Sequence, residues 1–294
     1  MDQADHPRLD YIDSSWLKHF ADKYEPRLMR KLRDIESGMF EHRQTQYALL
    51  YRDLVSLALI EYAAGNELAK VRTHLRKALQ SYLEVLRLRG SEPSGRIDVS
   101  SPDDLRRSLD KGEAITQERL ESSGESDYSL GNSSTSLQAM YLALSGGEFK
   151  IAESIAEHVW DPVDADYIGM DSEVCTPNEQ RLAYALRECF GGNVQAARGE
   201  LTSVVDPIRT IKDQTRMLTA LVDNNTPAFL NTLEELLNWH SQEATEDENH
   251  TAADYFICIP GLGLSAYGWR NGAITLDSLP QCNVYLPIRL FITS

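Results

Sequence analysis

The sequence predicts an all-α fold of stacked antiparallel helical hairpins, with a local look like tetratricopeptide repeats and a short extended C-terminal tail. Two observations predict this class. Apolar residues recur at three- and four-residue steps along most of the chain, as they do on one face of a helix. Helical segments also follow one another in pairs across short turns of Gly or Asn, and no useful strand alternation precedes residue 274.

The first three helices follow directly from this periodicity. The apolar pattern predicts one helix over residues 14–37 and a second over about 41–64. Gly65 stops the second helix, and a third over 67–88 ends before Gly90.

The next segment has a different composition, because Ser, Gly and acidic residues replace most apolar ones. We interpret residues 91–135 as a flexible connection around one short helix at 102–111. It separates N-terminal helices at 1–90 from a helical-hairpin stack at 136–294. The connection is too poor in apolar residues to be a domain, so the two helical parts are expected to form one continuous fold.

Paired helices recur after this connection. The turn markers are Gly147, Gly192 and Asn225, and the residues five positions later are Ala152, Ala197 and Leu230. A related unit spans 57–75. The markers are 45 and 33 residues apart, which is too uneven for a strict tetratricopeptide array. Near the end, "AITL" and "NVYLPIRLF" indicate extended chain, although Pro280 and Pro287 limit strand pairing.

Charge is distributed unevenly along the chain, whose net charge is −16. Residues 1–98 contain 16 basic and 15 acidic side chains, whereas residues 99–294 contain 13 and 30. Such a surface attracts basic proteins and repels the phosphates of nucleic acids and membranes. We therefore expect a basic protein partner, no nucleic acid and no membrane; the alternative is acidity that serves solubility alone. The sequence shows no secretory signal or membrane span, so a cytoplasmic location is expected, and the oligomeric state stays open.

A glycine-rich stretch near the end, "YFICIPGLGLSAYGW", matches a dinucleotide-binding pattern at Gly261, Gly263 and Ala266. That fingerprint requires a βαβ unit and an acid about 20 residues further on, which an all-helical context does not supply. We expect no cofactor. The alternative interpretation is a helix on which Gly261, Ser265, Gly268 and Gly272 form a stripe of small residues against another helix.

Metal and catalytic sites are not predicted either. Residues 164–175 resemble a calcium loop, but Ile168 and Cys175 occupy two positions that require oxygen ligands. The stretch 239–250, with His240 and Glu243, is favoured as a solvated acidic turn over a metal site. The four cysteines are too widely spaced for a zinc site or a disulfide framework. The chain is therefore not expected to be an enzyme.

One acidic region is a candidate protein-binding surface. No basic residue lies between Lys150 and Arg181, and acids alternate there with large aromatic residues that could anchor a partner. The candidate contacts are Glu157, Trp160, Asp161, Asp164, Asp166, Tyr167, Asp171 and Glu173, with Glu246, Asp247 and Glu248 as a second acidic contact. The alternative is a solvated loop between hairpins whose Trp160 packs inward.

The helical hairpins, the segment "ADYFICIPGLGLSAYGWRNG" led by Asp254, and the closing "VYLPIRLF" resemble the immunity protein 49 family of bacterial toxin and immunity pairs. The resemblance covers roughly residues 45–290 and depends on Asp254, the small-residue helix, Gly272 and the Tyr285-Leu286-Pro287 run. It implies a cytoplasmic protein that neutralises a cognate toxin by occluding or distorting its active site, without catalysis. Because the chain is acidic, we further expect this toxin to be basic, such as a nuclease. The alternative function is a helical-repeat adaptor or scaffold for an endogenous protein.

Overall fold

The computed structural model describes residues 14–40, 42–89, 131–160, 175–246 and 253–292. Every regular element within these ranges is helical, which confirms the predicted all-α class. The α-helices of the described ranges are α1 (Ser14–Glu36), α2 (Arg43–Ala63), α3 (Leu68–Leu88), α4 (Ser133–Ser145), α5 (Phe149–Ala156), α6 (Pro177–Phe190), α7 (Val194–Thr202), α8 (Arg209–Val222), α9 (Thr226–Ala244) and α10 (Ile259–Arg270). The predicted helix at 102–111 lies outside the described residues.

The helices pack as hairpins, as predicted. Helices α2 and α3, α4 and α5, α6 and α7, and α8 and α9 form the pairs, and α1 packs on α2. Each pair also contacts the next, for example α3 with α4 and α7 with α8. A single set of buried apolar side chains runs through the stack, because one hairpin alone cannot cover its own apolar face.

The turns between paired helices share one hydrogen-bonding geometry. A residue with positive φ, namely Gly65, Gly147, Gly192 or Asn224, ends the first helix of each pair. The next backbone N–H then donates to the carbonyl five residues earlier, as in the 2.8 Å bond from Asn193 to the Glu188 oxygen. The predicted marker Asn225 is one residue off, because Asn224 adopts the left-handed conformation and Asn225 is the N-cap of α9.

The glycines of α10 allow close approach between helices, but the predicted stripe was partly wrong. Gly261 and Gly268 do face the side chains of neighbouring helices. Gly272, in contrast, follows the end of α10 with φ +75° and is not part of the contact. The closest approach is at Gly263, where a methyl group would lie 2.7 Å from the backbone oxygen of Tyr141 in α4. Because α10 packs mainly on α4, the end of the chain returns to its middle.

The C-terminal residues 271–292 are irregular, with 3₁₀ turns at Leu276–Ser278 and Ile288–Leu290 and no strand. Their apolar side chains are buried against the stack, which explains the strand-like composition of this tail. The Tyr62 hydroxyl donates to the Val284 carbonyl at 2.7 Å, and Arg72 donates to carbonyls of the last turn. Across the described part of the chain, no helix combines the length and apolar character needed to cross a membrane.

Candidate functional site

Most of the predicted partner-binding residues lie outside the described residues. These are Asp161, Asp164, Asp166, Tyr167, Asp171, Glu173, Asp247 and Glu248. The structure does place Glu157, Trp160 and Glu246. Glu157 is exposed directly after α5, and Glu246 is exposed two residues after the end of α9.

The chain is fixed where it enters the acidic segment 161–174. Trp160 is half-buried, and the Arg89 guanidinium lies 4.3 Å from its ring centroid in a cation–π contact. Arg89 also donates to the backbone oxygens of Gly131, at 2.7 Å, and His158, at 3.0 Å. Arg187 of α6 donates to the next carbonyl, that of Val159. Residues 158–160 are thus held by Arg89, which directly follows α3, and by Arg187 of α6.

The chain is also fixed where it leaves this segment. Cys175 is buried, and Thr176 caps α6 in a capping box with Glu179. The Glu179 carboxylate also accepts a hydrogen bond, at 2.8 Å, from the Ser134 hydroxyl of α4. Glu179 therefore stabilises the fold. The helical stack holds the chain in place on both sides of the acidic segment.

The described surface next to the entry point is acidic as well. Glu153 of α5 and Glu157, which directly follows that helix, are exposed one helical turn apart. Burial and the nearby Arg89 charge lower the pKa of His158, against a smaller opposite effect of Glu157. The His158 ring is therefore neutral at pH 7 and does not offset these carboxylates. This corner can attract a basic surface, and Trp160 offers it an aromatic edge.

The second predicted contact is built on α9. His240, near the end of that helix, is 7% exposed, and its Nε2 lies 3.1 Å from the Tyr255 carbonyl. Its ring meets the Tyr285 ring edge-on, with centroids 5.1 Å apart. These contacts hold His240 inside the fold. Of the three acids predicted for this contact, the structure describes Glu246.

The described residues bear on three kinds of chemistry, namely metal binding, dinucleotide binding and thiol reactivity. No group of His, Cys, Asp and Glu in the described ranges could hold a metal ion. Apart from Cys175, the calcium-like stretch lies outside them. Residues 256–258 before α10 form no strand, so the glycines there lack the context of a dinucleotide site. Burial raises the pKa of both Cys189 and Cys258 to about 12, which keeps these thiols protonated and unreactive at neutral pH.

Sequence reasoning missed the residues that anchor the acidic segment. The capping box could have been predicted from the sequence, because "TPNE" places Thr, Pro and Glu at the spacing that starts a helix. The contact between Arg89 and Trp160 had no such signal, since it joins side chains far apart in the chain.

Comparison with models of protein families, with curated proteins and with solved structures gives no match to this chain.

Proposed function

We propose that this chain is an immunity protein that binds a basic toxin and neutralises it without catalysis. The observation that carries the proposal is the acidic segment, which has no basic residue between Lys150 and Arg181 and is anchored to the stack at both ends. Anchored ends reduce the chain entropy that binding must remove, so a tethered acidic segment is a better ligand than a free one.

The charges favour a partner with a basic surface. Five acidic residues lie within 161–174, and Glu153 and Glu157 extend the same charge onto α5. Carboxylates of this density speed the encounter with a basic protein, while aromatic side chains such as Trp160 supply contact area. A nuclease binds phosphates through basic residues, so an acidic segment that covers them would block its active site. The resemblance to the immunity protein 49 family leads to the same function.

Co-expression tests the proposal. The protein to co-express is the product of the reading frame directly upstream of this one in the native genome, which we expect to be a toxin, and the readout is growth of a sensitive host. We expect the wild-type chain to restore growth. The Asp161→Lys, Asp164→Lys, Asp166→Lys triple variant should lose protection, because it reverses three charges of the segment.

A charge-matched control distinguishes an effect of the protein's net charge from an effect of the acidic segment itself. Asp22→Lys, Glu36→Lys and Glu234→Lys together change the net charge equally, at exposed positions on α1 and α9. We expect this variant to protect as the wild type does. Equal loss of protection in both triple variants would remove the segment as the site, and a wild-type chain that never protects would overturn the proposed function.

A further inference from the structure

Helices α1 and α2 border an open groove of about 390 Å³ that the function proposed above does not use. Its lining includes Tyr24, Arg27, Arg30, Lys31, Phe40 and Asp53. The volume lies within the range of about 300–1,000 Å³ that is usual for small-molecule sites. The groove belongs to the N-terminal third of the chain, which carries most of the basic residues.

The cations of this groove have few partners within the described chain, and the Arg27 guanidinium lies 5.9 Å from the Tyr24 ring centroid. Arg27 and Arg30 are exposed, and neither forms an ion pair with a carboxylate of the described residues. Lys31 is 3.6 Å from Asp53, which must also neutralise Arg52 at 3.9 Å.

Other arginines of the described chain are paired closely, for example Arg181 with Glu200 at 2.9 Å and Arg198 with Asp223 at 2.6 Å. The groove thus gathers three cations, two of which form no ion pair within the described chain, beside the carboxylates of Asp34 and Asp53. On a strongly acidic protein, such a site is a local attractor for anions.

Aromatic rings border the same cations. Tyr24 is half-buried and stacks on Phe20, with centroids 4.7 Å apart and ring planes inclined by 17°. Phe40 is half-buried elsewhere in the lining. A flat apolar surface beside arginines fits a ligand that carries both a planar group and a dense negative charge.

We propose that this groove binds an organic phosphate with a planar base, such as a nucleotide. Arg30 and Lys31 follow Arg27 by three and four residues on one face of α1, so their charges converge on one phosphate chain. The Asp34 carboxylate in the lining can accept hydrogen bonds from sugar hydroxyls. A long nucleic acid would also meet the acidic remainder of the chain, whereas a nucleotide would not.

Isothermal titration of the full-length chain tests this site without any toxin. The probes are ATP, pyrophosphate and adenosine. We expect ATP to bind most tightly, pyrophosphate more weakly and adenosine weakest, since the phosphates make the charged contacts and the base adds stacking. No heat of binding with millimolar ATP would overturn the site, and so would adenosine binding as tightly as ATP.

Matched variants locate the binding. Arg30→Gln should weaken ATP binding about tenfold or more, because a hydrogen-bonded charge is lost. Arg33→Gln, on the same helix but outside the groove lining, should leave ATP affinity unchanged. Asp53→Asn should tighten binding severalfold by releasing Lys31, a gain that damage to the fold would not produce. Equal losses in the two arginine variants, or weaker binding in Asp53→Asn, would overturn the assignment.

Discussion

Gly263 is the residue at which α10 comes closest to the backbone of another helix. A methyl group on Gly263 would lie 2.7 Å from the Tyr141 oxygen and 2.9 Å from its Cα, and neither backbone atom can rotate away. Gly268 is different, because its nearest neighbours are the ends of the Leu221 and Ile274 side chains, which can change rotamer. Two glycines of one helix thus tolerate substitution differently.

Gly263→Ala should lower the free energy of unfolding by about 1–3 kcal/mol, because α10 must move away from α4. Gly199→Ala is the matched control. Gly199 lies within α7 with no atom near its missing side chain, so alanine there should stabilise the helix by up to about 1 kcal/mol. Urea denaturation of the three proteins measures the difference, and a Gly263→Ala variant as stable as the wild type would refute the close contact.

The attachment of α1 depends on a polar cluster between three helices. Glu25 of α1 lies 3.1 Å from both Lys70 Nζ and His74 Nε2 of α3, and Lys70 also pairs with the fully buried Glu61 of α2 at 2.7 Å. Burial alone would raise the pKa of Glu25, but hydrogen bonds with Lys70 and His74 outweigh burial and lower that pKa. Ionised Glu25 therefore stabilises the docked helix.

This shift makes the docking of α1 dependent on pH. Because the pKa of Glu25 is lower in the folded protein than its ordinary value of 4.5, the stabilisation is present above that value and is lost as the pH falls through the folded pKa. We expect amide hydrogen exchange in α1, corrected for intrinsic rates, to accelerate selectively in that acidic range.

Glu25→Gln should exchange faster at pH 7 and lose much of this pH dependence. Glu36→Gln changes an exposed acid at the end of the same helix and should behave as the wild type does. Identical exchange in all three proteins across the acidic range would show that Glu25 does not hold α1.

The C-terminal tail depends on one arginine of α3. Arg72 donates from Nε to the Leu290 oxygen at 2.7 Å and from Nη2 to the Ile292 oxygen at 2.6 Å, and it also bonds the Arg289 carbonyl. The planar guanidinium holds donors on separate nitrogens in a fixed fork, a geometry that the single nitrogen of a lysine ammonium does not reproduce.

Arg72→Ala should destabilise the protein by about 2 kcal/mol and release the last turn. Limited trypsin digestion reads this release directly, because cleavage after the exposed Arg289 requires the turn to open. Mass spectrometry should show the shortened chain early in Arg72→Ala, later in Arg72→Lys and latest in the wild type. Equal cleavage rates in the three proteins would exclude the clamp.

These elements show which parts of the fold could be predicted from sequence. Helices α1 to α3 begin and end within two residues of the predicted bounds, because a periodic apolar face and a glycine stop are local signals. The strand-like composition of the tail wrongly indicated extended chain. In the structure, carbonyls of the tail accept hydrogen bonds from side chains such as Arg72 and not from a neighbouring strand. The Arg89 contact with Trp160 was equally hidden, as it joins residues that only the folded stack brings together.

On the scale of the whole molecule, the fold joins two parts of different charge. Helix α3 contacts α4 and α5, and the last turn packs on α3, so the near-neutral N-terminal part and the acidic remainder share one core. The acidic segment and the basic groove are therefore carried by a single body. A basic partner that approaches this body feels the net charge of −16 at long range and the segment 161–174 at short range.

Because the net charge acts at long range and the segment 161–174 at short range, we can predict how the proposed toxin complex should respond to salt. The association rate constant should fall about tenfold or more from low salt to about 0.5 M salt, because the screening length shrinks to a few ångströms. The dissociation rate constant should change less, since close contacts in the complex are screened less. Reversing Asp161, Asp164 and Asp166 to lysine should change both constants, whereas the charge-matched variant at Asp22, Glu36 and Glu234 should slow only association. Stopped-flow and surface plasmon resonance measurements separate the two rate constants. An association rate constant that does not change with salt concentration would rule out electrostatic attraction of the partner by this chain.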